Sequence, residues 1–66
     1  MKLIVNGDAY THSGNGALVS LLKEMGIDDR KVAVVVNENV VNRGKYGVLH
    51  LKDGDKIELL TLTAGG

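Results

Sequence analysis

Apolar residues recur along this chain with two different periods, and the changes of period predict its elements. Met1 to Asn6 reads as a strand, with β-branched Ile4 and Val5, and Asn6-Gly7-Asp8 is a hairpin turn. A second short strand is predicted over Ala9 to His12. Ser13-Gly14-Asn15-Gly16 then breaks the pattern and offers capping groups for a helix. The helix is predicted from about Gly16 to Met25, because Leu18, Leu21, Leu22 and Met25 form one stripe at helical spacing while Ser20, Lys23 and Glu24 lie off it. Gly26 is placed to end it in a left-handed conformation.

Val32 to Val36 is a β-branched run expected in the middle of a sheet. Asn37-Glu38-Asn39 turns it into a short strand at Val40-Val41, and Asn42 to Tyr46 is irregular and polar. Asp53-Gly54-Asp55 is a further turn. It launches the last strand, Lys56 to Thr63, after which Ala64-Gly65-Gly66 is left over. We read one domain over residues 1–63 and a flexible tail over 64–66. A hairpin, one covering helix and a return to the sheet make this an α+β layer pair.

Composition narrows the function classes. The chain has 66 residues and no Cys, so it offers no disulfide, thiolate nucleophile or Cys-based metal site. Eight basic residues balance eight acidic ones, and Tyr10 and Tyr46 are the only aromatics. Neither a basic surface nor a stacking platform for nucleic acid is therefore expected. The apolar run Val32 to Val36 is too short to span a bilayer, and the start of the chain has no long apolar stretch like a signal peptide's. A cytoplasmic protein with no nucleic-acid or membrane partner is expected.

Side-chain catalysis finds little support. His12 and His50 have no metal-ligand partner at recognisable spacing, and both read as surface histidines. Ser13 and Ser20 lack a marked base, and Ser13 reads as a turn or capping residue. Asp28-Asp29 and Asp53-Gly54-Asp55 read as loop and turn residues rather than a general acid–base pair. Gly14-Asn15-Gly16 lacks the Lys and Ser/Thr of a phosphate loop.

The Gly65-Gly66 end stands out. At average glycine usage it arises by chance in about one chain in two hundred, somewhat more often in a Gly-rich chain. It follows directly on a predicted strand, so its carboxylate would project from a rigid body. Glycines lack a Cβ, so the tail could enter a narrow channel and leave the terminal carbonyl open to attack. The chemistry would be the carboxylate's own: activation to an acyl adenylate, then transfer to a nucleophile. A carrier rather than an enzyme is expected, with no catalytic side chain, metal or bound cofactor.

Over essentially its whole length the chain resembles ThiS, the ubiquitin-like sulfur carrier family of thiamine biosynthesis. The resemblance rests on Met1 to Gly7, the Leu18/Leu21/Leu22 helix, Val32-Ala33-Val34-Val35-Val36-Asn37, Val41 with Arg43 and Tyr46, Asp53-Gly54-Asp55 followed by Ile57 and Leu59, and Ala64-Gly65-Gly66. Three features depart from the family's pattern: Asn42 stands where Pro is frequent, Asn37-Glu38-Asn39 lacks the usual glycine, and the net charge is zero where many such carriers are acidic.

The resemblance implies a β-grasp fold, a mixed sheet of about four or five strands under one main helix. It implies that a ThiF-type adenylyltransferase activates Gly66 with ATP. A sulfur donor system, a cysteine desulfurase or its equivalent, would then supply sulfur for a thiocarboxylate, and thiazole synthase would receive it. Gly66 is the residue modified, with Ala64 and Gly65 entering the partner's active site. A MoaD-like carrier for molybdopterin synthesis, a protein modifier joined through Gly66 and a plain binding module are the alternatives. The free chain is expected to be a monomer. In a β-grasp sheet, alternation assigns Leu3, Val5, Val34, Val36, Ile57 and Leu59 to the core, and Val35, Leu60 and Leu62 to the opposite face, as a partner-docking patch. Arg43 and Tyr46 are expected to be structural, Tyr46 by packing and Arg43 by pairing locally.

Overall fold

A computed structural model describes residues 1–61, with Leu62 to Gly66 outside the described part. The expected boundary between domain and tail lies outside it too. Strand β1 (Lys2–Val5) turns at Asn6-Gly7 into β2 (Asp8–Thr11). Helix α1 (Leu18–Glu24) follows, then β3 (Val32–Val36), the two-residue β4 (Asn39–Val40), a 3-10 turn at Arg43–Lys45 and β5 (Lys56–Thr61).

The five strands form one mixed sheet in the order β2-β1-β5-β3-β4. β1 and β5 run parallel at its centre, and every other pair is antiparallel. With one helix over one face, this is the β-grasp arrangement.

Asn6 and Gly7 both take positive φ, 50° and 85°. Two such residues make the turn whose twist matches a hairpin, and Asn tolerates the left-handed region better than most residues. The second hairpin uses the same geometry without glycine. Asn37 and Glu38 lie at φ 49° and 71°. Asn37 is held there by its side chain: Oδ1 accepts the Lys56 amide at 3.0 Å and Nδ2 donates to the Asp55 carboxylate at 3.0 Å. Glu38 has no comparable bond among the described residues.

The helix is shorter than its pattern suggested, running from an N-cap at Ala17 to a C-cap at Met25. No side chain caps it directly, and Asn15 accepts the Ala17 amide instead. Its end is a Schellman motif. Gly26 lies at φ 71°, Ile27 N–H reaches the Leu22 carbonyl at 2.8 Å and Gly26 N–H the Lys23 carbonyl at 3.0 Å.

Leu18, Leu21 and Leu22 are fully buried on Leu3, Val5, Val32, Val34, Ile57 and Leu59. Each such side chain contributes roughly 1.5–3 kcal/mol relative to an exposed one. Val36 and Met25, assigned to the core by period, are half-buried at its rim. Tyr46 and Leu51 close the core from the long loop.

The acidic turn residues work as the pattern suggested. Asp53 accepts the Lys2 amide at 2.6 Å, which ties the entry of β5 to β1, and Asp55 closes the turn itself by accepting the Lys52 amide at 2.8 Å.

Candidate functional site

Strand β5 is the last described element. Its register against β3 runs from Val36↔Ile57 to Val32↔Thr61, so the chain leaves the described structure beside the first residue of β3. Ile57 and Leu59 face the helix and are buried, whereas Lys56, Glu58 and Leu60 face the other way. The strand is therefore anchored through its inner face up to two residues before its described end.

The outer face carries two of the three expected docking residues. Leu60 is 56% exposed and sits opposite Ala33, and Val35 is half-buried between Glu58 and Val40. Leu62, the third, and Ala64, Gly65 and Gly66 lie outside the described residues. Two apolar residues not picked out from the sequence join this face: Ile4, 38% exposed and paired with Lys56, and Val40, 79% exposed and paired with Val35. The same alternation that turned Leu3 and Val5 inward marks Ile4 as outward. Val40 required the hairpin register.

Arg43 and Tyr46 brace the start of β3 on the side away from β5. Buried Tyr46 donates its hydroxyl to the Val32 carbonyl at 3.0 Å. Arg43 donates to the Arg30 carbonyl at 2.8 Å and lies 5.9 Å from the Tyr46 ring centroid, within cation–π range. Tyr46 packs as expected, whereas Arg43, expected to pair locally, reaches a backbone carbonyl thirteen residues away. Asn42 has φ −64°, a value a proline would also adopt, and its side chain accepts the Gly44 amide at 2.9 Å.

His12 corrects the sequence reading. It was expected on the surface and is 1% exposed. Nε2 accepts the Gly16 amide at 3.2 Å, so the ring proton sits on Nδ1 and is donated to Glu24 Oε2 at 2.8 Å. The Gly14 amide, 3.4 Å from Nδ1, is too distant to compete. Glu24 also accepts from Tyr10 Oη at 2.9 Å, the Ser13 amide at 3.0 Å and the Ser13 hydroxyl. Ser13 therefore binds the far end of the helix rather than capping its start. These donors, the Ser13 hydroxyl first and the His12 ring second, hold the Glu24 carboxyl down at about 2. Tyr10 is pushed up by donating to that carboxylate. The pattern could not show this, because His12 finds its partner on another element twelve residues away.

Asp28 accepts from the Arg30 guanidinium, which lowers its carboxyl. His50 is exposed, as expected. Among the described residues no three His, Cys, Asp or Glu side chains gather at metal-binding distance, and no helix is long and apolar enough to cross a membrane.

The sequence profile of the ThiS family matches residues 3–66. The crystal structure of a thiamine biosynthesis protein (ThiS) from Geobacter metallireducens superposes with a TM-score of 0.82 at 32% identity, covering 100% of both chains. Proteins named thiazole synthase from Paramagnetospirillum magneticum and Magnetococcus marinus match at 39% and 38% identity over all 66 residues. The chain spans 20% of the length of each of these two relatives.

Proposed function

Because the chain belongs to the ThiS family, we propose that it is a sulfur carrier of thiamine biosynthesis whose reactive group is the carboxylate of Gly66. The observation that carries this reading is the extent of the family match, which runs through Ala64-Gly65-Gly66 to residue 66.

In the proposed sequence a ThiF-type adenylyltransferase binds the carrier and ATP. A Gly66 carboxylate oxygen attacks the α-phosphorus, the bond to the β-phosphate breaks and pyrophosphate leaves. A hydrosulfide-equivalent nucleophile from a sulfur donor system then attacks the acyl carbon and expels AMP, leaving a thiocarboxylate. That sulfur passes to thiazole synthase. The carrier contributes position rather than acid–base chemistry. β5 is anchored by Ile57 and Leu59, and five further residues reach at most about 18 Å when fully extended. A partner must therefore seat the body close to its own active site. The outer-face residues Val35 and Leu60, with Leu62 expected beside them, supply an apolar surface for that seating.

Thiazole synthase is the favoured recipient, because the two thiazole synthases each contain a segment similar to this whole chain. A carrier and its recipient in one polypeptide meet at high effective concentration, and separate chains would need a docking surface instead.

Intact-mass measurement of the protein from its native host tests the reading. One terminal oxygen replaced by sulfur supports it. Isopeptide adducts would instead mark a modifier. Chains left unmodified by ATP, the activating enzyme and a sulfur donor would refute it. Deleting Gly66 should abolish sulfur transfer while leaving the thermal unfolding curve in place.

A further inference from the structure

β5 is a central strand, yet only part of it has a neighbour on both sides. Against β3 its pairing reaches Thr61, whereas against β1 it stops at Val5↔Ile57. Asn37 N–H donates to the Lys56 carbonyl at 2.8 Å, which sets the parity of the antiparallel ladder. Residues 56, 58 and 60 turn their backbone groups toward β3, and 57, 59 and 61 turn theirs toward β1. The bonds on the other side agree: Asn6 N–H donates to the Ile57 carbonyl at 2.9 Å, and the Leu59 amide donates to the Asn6 side chain at 2.8 Å.

At Asn6-Gly7 the chain turns away into β2. Beyond the Asn6 side chain, the Leu59 carbonyl and the Thr61 amide and carbonyl face a lane in which no described residue pairs with them. Unpaired groups of this kind are a template for an added strand.

We propose that this lane is filled by an extended backbone segment of the adenylyltransferase that activates the tail, adding as a strand beside Leu59 and Thr61. This rests on the carrier reading above and adds how the partner recognises the body. Continuity argues for this occupant, because the lane borders the strand that runs directly into residues 62–66. A segment paired there would align the tail before it enters the active site. The Asn6 side chain, by taking the Leu59 amide, ends the lane and fixes the register of whatever enters it. A second copy of this chain is a poorer occupant, since only three described backbone groups are open.

The test is amide hydrogen exchange with residue-level resolution on the full chain. Free in solution, the Thr61 amide should exchange about tenfold or more faster than the Leu60 amide, which faces β3. Saturation with the host's own ThiF-type adenylyltransferase should slow Thr61 by about tenfold or more. Thr61→Pro removes that N–H without touching the β3 side, and should raise the KM for the carrier about fivefold, as expected for loss of one backbone hydrogen bond, with kcat unchanged. Thr61→Ala keeps the N–H and should behave as the native chain. Efficient adenylation with Thr61 still unprotected in the saturated complex overturns the proposal, as does protection that grows with carrier concentration alone. Absence of any adenylation of the native chain refutes the carrier reading itself, so the two failures are distinguishable.

Discussion

The buried ring of His12 and the carboxylate of Glu24, 2.8 Å apart, join the end of the first hairpin to the last turn of the only α-helix among the described residues. Glu24 sits where the helix dipole disfavours an anion. Donors from Ser13, His12 and Tyr10 offset that penalty and draw residues 10–13 onto the helix.

Acid should loosen this junction in a defined window. The folded Glu24 carboxyl lies at about 2, below its ordinary value of 4.5. Its contribution to stability is therefore complete above about pH 4.5 and is lost as the pH falls toward 2. Urea unfolding between pH 2 and 7 should show stability falling through that range. In Glu24→Gln the fall should be shallower, starting from a lower stability at pH 7. Equal slopes for native and variant would contradict this.

Gly14 is required by the ring beneath it. A Cβ there would stand 2.6 Å from His12 Cε1 and also press on the Ser20 hydroxyl. Ser20 can rotate away, but the fully buried imidazole is bonded through both nitrogens. Gly14→Ala should destabilise by about 1–3 kcal/mol, the usual cost of overpacking. Calorimetry checks it, and an unchanged melting temperature would mean that the ring can shift freely.

The second hairpin carries an avoidable strain. Glu38 holds φ 71° without a stabilising side-chain bond among the described residues. The left-handed region costs a side-chain-bearing residue roughly 1–2 kcal/mol, against up to about 1 kcal/mol of extra backbone entropy lost by glycine. Glu38→Gly should therefore stabilise by about 0.5–1 kcal/mol, raising the melting temperature by several degrees. Asn37→Gly should do the opposite, because it removes the bonds to Lys56 and Asp55. A destabilised Glu38→Gly would overturn the assignment of strain.

What the sequence made legible was whatever depends on near neighbours. The Asn6-Gly7 turn, the leucine stripe, Gly26 as a helix stop and the alternation in β5 are all local rules, and each is present in the fold. Element ends were less legible, because tertiary bonds decide them. The helix starts after Ala17 rather than at Gly16, whose amide is taken by His12. His12, Arg43 and Asn37 find their partners twelve or more residues away, so period and composition carry no trace of those bonds. The candidate site divides likewise. The tail proposed as the reactive group is a reading of the last residues alone and lies outside the described part, while the open lane beside Thr61 depends on where β1 leaves the sheet.

Leu60 separates docking from folding. Its side chain is 56% exposed on the face away from the helix, opposite small Ala33, and it is not among the core residues. Leu60→Glu should therefore shift stability by no more than about 0.5 kcal/mol, the range of ordinary surface substitutions. If the outer face seats the activating enzyme, the same change places a charge against an apolar surface and should raise the KM for the carrier at least about tenfold, with kcat little affected. Val40→Glu serves as a graded control. Val40 is on the same face but at the sheet's far edge, two strands from β5, so its effect should be smaller. ATP–pyrophosphate exchange measured against carrier concentration gives both constants. An unchanged KM for Leu60→Glu would remove the outer face from recognition and leave the tail and the lane beside Thr61 to account for it.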